Sequence, residues 1–336
     1  MFKDNLEKGH LRYYQIAGVT IRVEADLPIT DTTFQPKFKA FEADGPGEDT
    51  ITISHQFSLP DLNGWNMGEE IYRKVPWVVY RKGPSWIYMG ISGQGSVRIR
   101  DLRFRIWRQL SSLWGTPRGE KELPFKAPFF SVREGKIHLL AIANHDHTRA
   151  RIYHTSETLF RRGNLYSLTL FPTDQILLAR VLAKRGGCYI HASGVIFEGN
   201  GLLFVGHSDT GKTTIVNMLQ DKAEVLCDDR MIVRKWPGGF KVHGTWSHGD
   251  VSEVSAGFAP LKAVLFLQQA QENRLIYIKN RQEAIRRALA CLVKPLVTTD
   301  WWDQMLTLVD QMAHEVPCYS LRFDKSGAVV SLLKDL

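Results

Sequence analysis

The residues best equipped for chemistry form one contiguous run, Gly206-His207-Ser208-Asp209-Thr210-Gly211-Lys212-Thr213, which satisfies GxxxxGK[ST] at every fixed position, the Walker A or P-loop pattern. Glycines let such a loop curl until successive backbone N–H groups point inward at phosphate oxygens. A helix opening at the end of the loop adds partial positive charge at the same place. Lys212 supplies a mobile cation for the β- and γ-phosphates, and the Thr213 hydroxyl, followed by Thr214, is placed to ligand a metal. The ligands expected on the run from Gly206 to Thr214 are ATP and Mg2+, with Mn2+ as an alternative. A second constellation is Val225-Leu-Cys-Asp228-Asp229-Arg230. An apolar strand ending in two carboxylates can deliver one to a metal and the other to an attacking hydroxyl, where proton acceptance is worth typically ~10²–10⁴-fold in rate. His191, in Tyr189-Ile-His191, can orient a carboxylate or touch the metal. His243, Trp246, His248 and Asp250, in a glycine-bearing segment, form either an acceptor rim or a structural loop.

These groups need a scaffold that brings strand ends together. Leu202–Val205 reads as an apolar strand before the loop and Lys212–Gln220 as a helix after it. Glu224–Cys227 reads as the strand that carries the aspartates. Upstream, Gln175–Lys184 predicts a helix and Cys188–Ile190 a strand. Downstream come strands at Lys262–Leu267 and Leu275–Ile278, then a helix over Arg281–Leu292 with Asn280 as N-cap and Glu283 in its first turn. Trp301–Met312 predicts an amphipathic helix with Met305, Leu308, Val309 and Met312 on one stripe. Tyr319–Phe323 and Val329–Leu333 read as a closing hairpin. Strands alternating with helices indicate α/β architecture. The first half is β-rich instead. Gly18–Glu24 alternates strictly, and short runs follow at Thr50–Ser54, Trp77–Tyr80, Trp86–Ile91, Ser96–Arg100 and Lys136–Ile142. His145-Asp146-His147 reads as a polar turn before the run Ala150–Tyr153. The expected organisation is a β-rich (α+β) domain over residues 1–165, suited to substrate or partner recognition, and an α/β nucleotide-binding and catalytic domain over 166–336.

Composition narrows the function classes. A chain of 336 residues at ~100–200 per domain suggests two domains, and 44% hydrophobic with 23% charged residues is a globular mix. The 43 Lys+Arg against 35 Asp+Glu give +8, a field that favours anionic ligands. The excess is spread along the chain, with Arg98–Arg108 its densest stretch, and no zinc finger or RNA-binding aromatic signature accompanies it, so no nucleic-acid partner is expected. No apolar run approaches the ~20 residues of a bilayer span, and Met1–Lys8 offers no apolar signal segment. Cys188, Cys227, Cys291 and Cys318 lie far apart with no CxxC pair. A cytoplasmic protein with reduced thiols and no membrane partner is the expectation.

The run from His191 to Thr214, followed by Val225–Arg230, resembles the P-loop core of HPr kinase/phosphorylase-like proteins. That core is also similar to phosphoenolpyruvate carboxykinase, with a histidine in the equivalent strand, a GKT phosphate loop and paired aspartates. The likeness is closer to the HPr-kinase-related group that includes kinases of peptide-modification pathways. Val242–Gly249, Ala259–Gln269 and Val316–Arg322 look like that group's downstream segments. The resemblance covers about residues 175–335 and implies an α/β P-loop (HPr kinase/PEP carboxykinase-like) fold there. It implies an ATP-dependent serine/hydroxyl kinase acting on a peptide, protein or small molecule, with Lys212, Asp228, Asp229 and His191 as catalytic residues. The aspartates would share metal binding and general-base work. We take Asp228 as base and Asp229 with Thr213 as metal ligands, a division the resemblance leaves open. Asp209 stands where the family usually has glycine, and Thr214 where true HPr kinases have glutamate. The first half resembles no HPr kinase N-terminal domain, and whether the chain forms a homo-oligomer stays open. The alternative is a non-catalytic nucleotide-binding module with a partner-binding β domain, in which Asp209 has spoiled the phosphate grip.

Overall fold

The computed structural model describes residues 9–91 and 137–336. Met1–Lys8, the expected strand Ser96–Arg100 and the basic stretch Arg98–Arg108 lie outside them. The described chain is a mixed α/β protein with two β-sheets. It divides into two compact units, one formed by residues up to His55 with Ala143–Arg151 and Glu157–Leu336, the other by Gln56–Ile142 with Ile152–Ser156.

That division differs from a single junction near residue 165, and three contacts explain why the first fifty-five residues stay with the C-terminal part. The Asp49 carboxylate accepts from Arg185 Nη2 at 2.6 Å. The Ala17 carbonyl accepts from Arg234 Nη1 at 2.7 Å. Trp246 packs against Phe38 and Phe41, each with ring centroids 5.1 Å away. Composition along the chain carries no trace of such long-range pairings.

In the first unit β1 (Leu11–Ile16) and β2 (Val19–Ala25) form a hairpin, with β3 (Glu42–Ala43) beside β1 and β4 (Thr50–Gln56) parallel to β2. Val19, Ile21 and Val23 are all buried, as the alternation requires. The second unit holds β5 (Glu69–Lys74), β6 (Trp77–Lys82) and β7 (Ser85–Ile91) as an antiparallel meander. Val78, Ile87 and Met89 join Leu140 of β8 (Ile137–Ala143) in a small core. The sequence His145-Asp146-His147 lies in the turn before β9 (Arg149–His154), where Thr148 Oγ1 donates to Asp146.

The second sheet carries the run Gly206–Thr213. Its strands are β10 (Gly187–Phe197), β11 (Asn200–Val205), β12 (Glu224–Cys227), β13 (Arg230–Trp236), β14 (Gly239–His243), β15 (Phe258–Gln269), β16 (Arg274–Tyr277) and β17 (Cys318–Phe323). β10 is one long strand with two successive neighbours on the same side. Its first half pairs with β13, with His191 opposite Arg230, and its second half with β12, with Gly194 opposite Cys227. Asp228 and Asp229 occupy the step between those neighbours. β11, β15 and β17 run parallel, in that order, so their carboxyl ends share one edge.

Alternating residues of β11 feed two cores. Leu203 and Val205 face one built with the helices Arg281–Ala290 and Trp301–Glu315, while Leu202 and Phe204 face one built with the helices Lys212–Leu219 and Val329–Lys334. Asn280 caps its helix by accepting from the Gln282 N–H at 3.0 Å. The expected helix Gln175–Lys184 opens with one π-helical turn, Asp174–Leu178, and continues as Ala179–Ala183. Val329–Leu333 is not the second strand of a hairpin. β17 is already flanked by β15 and β16, so no edge remains, and Val329, Val330 and Leu333 bury one helical face instead.

Candidate functional site

The loop leaves the carboxyl end of β11 and enters the helix Lys212–Leu219, the strand–loop–helix order the motif needs. Gly211 adopts φ 101°, and a Cβ there would lie 2.6 Å from the Phe323 ring, so only glycine fits. Gly206 is equally constrained, because a Cβ would fall 2.2 Å from Thr210 Oγ1. Asp209 adopts φ 66°, the left-handed geometry that aspartate tolerates better than most residues. The substitution of the expected glycine is therefore compatible with the loop's shape. His207, Ser208 and Asp209 are exposed.

The His207 carbonyl organises the loop. It accepts from Thr210 Oγ1 at 2.8 Å and from Lys212 Nζ at 2.9 Å. Lys212 is buried, so its ammonium needs such partners, and Asp229 Oδ1 lies 3.9 Å away.

The paired aspartates have different surroundings. Asp228 is only 1% exposed. Its Oδ1 accepts from the Gly249 N–H at 2.6 Å, and its Oδ2 from the Val251 N–H at 3.0 Å and the Thr213 hydroxyl at 3.1 Å. Three donors fix this carboxylate in direction. The Asp229 side chain is 33% exposed, between Lys212 and Arg230 Nε at 3.5 Å. It is the more accessible of the two carboxylates.

His191 joins the group through its backbone: its carbonyl accepts from the Gly206 N–H at 3.3 Å, and the next residue's N–H donates to the Asp229 carbonyl at 3.1 Å. Burial, then the charges of Arg230, Lys212 and His207, push its pKa well below the ordinary histidine value. The imidazole is therefore neutral at physiological pH. His207 is lowered too, by partial desolvation of its ring and by Lys212, and although the residue as a whole is exposed its Nε2 lies 3.8 Å from Cys291 Sγ. All four cysteines are buried and free, and burial raises Cys291 to about 11.

Lys212, Thr213, Asp228, Asp229, His191 and His207 thus converge at the carboxyl end of β11 and the step from β12 to β13. The expected acceptor rim splits. His243 is buried, accepts from Trp236 Nε1 at 3.2 Å and is pushed down to about 4 by burial; Trp246 is buried against Phe38 and Phe41. His248 and Asp250 remain accessible, flanking the Gly249 amide that holds Asp228. The amides of Gly249 and Val251 and the side chain of Arg230 are site components that reasoning from side-chain type did not single out. Glycine at 249 is the one available signal, since a Cβ there would sit 3.1 Å from Asp228 Oδ2.

Two carboxylates and a hydroxyl are hard oxygen donors, the chemistry that suits Mg2+ or Mn2+. Among the described residues no group of three or more His, Cys, Asp or Glu could hold a metal alone.

Comparison with known proteins gives two likenesses. Residues 168–334 match the family described as SynChlorMet cassette protein ScmC. Among solved structures, the Hpr(Ser) kinase/phosphatase from Coxiella burnetii aligns with 44% of this chain and 90% of its own, at 8% identity and a TM-score of 0.28. No curated protein matches. Among the described residues no helix is long and apolar enough to cross a membrane.

Proposed function

We propose that this chain is an ATP-dependent phosphotransferase that moves the γ-phosphate of ATP to a serine-like hydroxyl on a peptide, protein or small molecule. The observation that carries this reading is the meeting of the motif's own side chains with the paired carboxylates: Thr213 on Asp228 at 3.1 Å and Lys212 beside Asp229 at 3.9 Å. A glycine turn without function has no reason to bring a buried lysine and a hydroxyl onto two adjacent aspartates.

Thr213 and Asp228 would hold Mg2+, the ion that neutralises charge on the phosphates when bound. Lys212 and the loop amides would position the γ-phosphoryl group and stabilise the charge it gains in transfer. The geometry favours exchanging the roles first assigned to the aspartates. Asp228 is buried and fixed by three donors, which leave one lone pair on Oδ1 for the ion, whereas Asp229 is accessible and can take the acceptor's proton on a carboxylate oxygen. Neutral His191 would pack the step between the strands and keep the lysine's surroundings polar without adding a competing cation. A cytoplasmic setting, and recognition of the acceptor by the β-rich part of the chain, belong to the same proposal.

A second reading, a nucleotide-binding module without catalysis, is favoured by one feature. The Asp209 carboxylate stands in the loop while Lys212 is engaged by the His207 carbonyl. The test incubates the protein with γ-labelled Mg-ATP and a desalted cell extract, with Asp229→Asn as control. Label that moves to peptides, proteins or small molecules with wild type alone supports the kinase and names the acceptor class. Label that stays on bound ATP supports the module, and failure to bind ATP refutes both.

A further inference from the structure

Beside the loop lies a cavity of about 380 Å³, within the ~300–1,000 Å³ range of small-molecule sites. Its walls are Thr214 at the start of the helix, Gln269–Gln271 at the end of β15, and Phe323–Lys325 at the end of β17. β11, β15 and β17 are consecutive parallel strands, so the cavity and the loop share one carboxyl edge of the sheet. In open α/β sheets that edge is where ligands bind. Two contacts tie the cavity to the loop. Gln269 Nε2 donates to the Asp209 carbonyl at 2.8 Å, and Phe323 packs so closely on Gly211 that no Cβ fits there.

We propose that this cavity receives the nucleoside half of the nucleoside triphosphate whose phosphates lie on Gly206–Thr213. The inference rests on the nucleotide reading of the loop. Ala270, half-buried, offers an apolar surface to a base beside the buried Phe323 ring. Asp324 offers an acceptor to a ribose hydroxyl: its Oδ1 is fixed by Asn273 Nδ2 at 2.8 Å and the Ser326 N–H at 2.9 Å. Among the described residues no hydrogen bond reaches its Oδ2. A carboxylate held from one side and open on the other suits a sugar hydroxyl. Thr214 belongs to both parts and marks the passage from phosphates to sugar.

The test measures equilibrium binding of Mg-ATP and of inorganic tripolyphosphate to wild type, to Ala270→Phe and to Gln271→Trp, which fill the cavity from partly and fully exposed positions. Both variants are expected to bind ATP about tenfold or more weakly while tripolyphosphate binding stays within about twofold of wild type. Retained tripolyphosphate binding also shows that the loop is intact. ATP binding unchanged in both variants overturns the cavity assignment and leaves the loop reading standing, and so does an equal loss of both ligands. Wild type that binds neither ligand overturns the loop reading and, with it, this one.

Discussion

The two ends of the candidate site are built in opposite ways. At the strand step, Asp228 is buried, and its carboxylate is fixed by two backbone amides and a hydroxyl. At the loop, His207, Ser208 and Asp209 are exposed, and the lysine makes one hydrogen bond, to the His207 carbonyl, with Asp229 at 3.9 Å. A buried carboxylate without donors is costly, so the strand step can exist only in a preformed state. The loop can exchange partners at small cost, because its internal bonds are few and face solvent. For the phosphotransferase proposed above, a rigid acid end and an exchangeable loop end would be a sound division. Catalysis by positioning needs fixed dipoles where the metal and acceptor meet, and a phosphate grip that can release product.

The largest break is expected at the rigid end. Asp228→Ala leaves the buried amides of Gly249 and Val251 without their acceptor, at about 1–3 kcal/mol for each unsatisfied group. Chemical denaturation should show that loss together with complete loss of phosphoryl transfer. A loop substitution such as Lys212→Met should abolish transfer with little change in stability beyond the lost buried side chain.

The next effect comes from pH. His55 and His243 are each pushed down to about 4 by burial, and His191 is lowered for the same reason with three cationic neighbours. Above pH 6.5 these groups are neutral in folded and unfolded chains alike. Below it the unfolded chain binds protons that the folded chain refuses, so stability falls between pH 6.5 and about 4. A displacement of this size corresponds to roughly 3 kcal/mol for each of the two histidines at the acid end of the window. Melting curves at fixed ionic strength should fall across that interval and be flat from pH 7 to 8.

The smallest effect is expected at the loop. Asp209→Gly keeps the left-handed backbone and removes one exposed negative charge near the phosphates, so ATP affinity should rise by about two- to fivefold. Isothermal titration would detect it. A rise of a hundredfold would mean that Asp209 blocks the loop outright and would favour the non-catalytic module.

What could be seen in the amino-acid order follows the same contrast. The loop, the strand before it and the helix after it were legible because the motif is contiguous and each fixed position has a local reason, down to aspartate tolerating φ 66°. The cap at Asn280 and the buried stripe Met305, Leu308, Val309 and Met312 were legible for the same cause. The cradle of Asp228 was not, because its donors are backbone N–H groups of Gly249 and Val251, which leave no side-chain signature. His243 and Trp246 carry polar and aromatic atoms suited to a rim, yet the first is held by Trp236 and the second fills an aromatic core with Phe38 and Phe41. Val329–Leu333 has a β-branched start that suits a strand, and only the pairing of β17 on both sides decides for a helix.

The proposed division between the adjacent aspartates holds Asp228 for the metal and leaves Asp229 open to the acceptor. The transfer assay run with Asp229→Asn at saturating Mg-ATP, alongside its ATP affinity, tests it most directly. With Asp229 as the base, ATP affinity stays within about twofold of wild type and transfer falls by ~10²–10⁴-fold. Transfer at the wild-type rate, or affinity and transfer falling together, would contradict it.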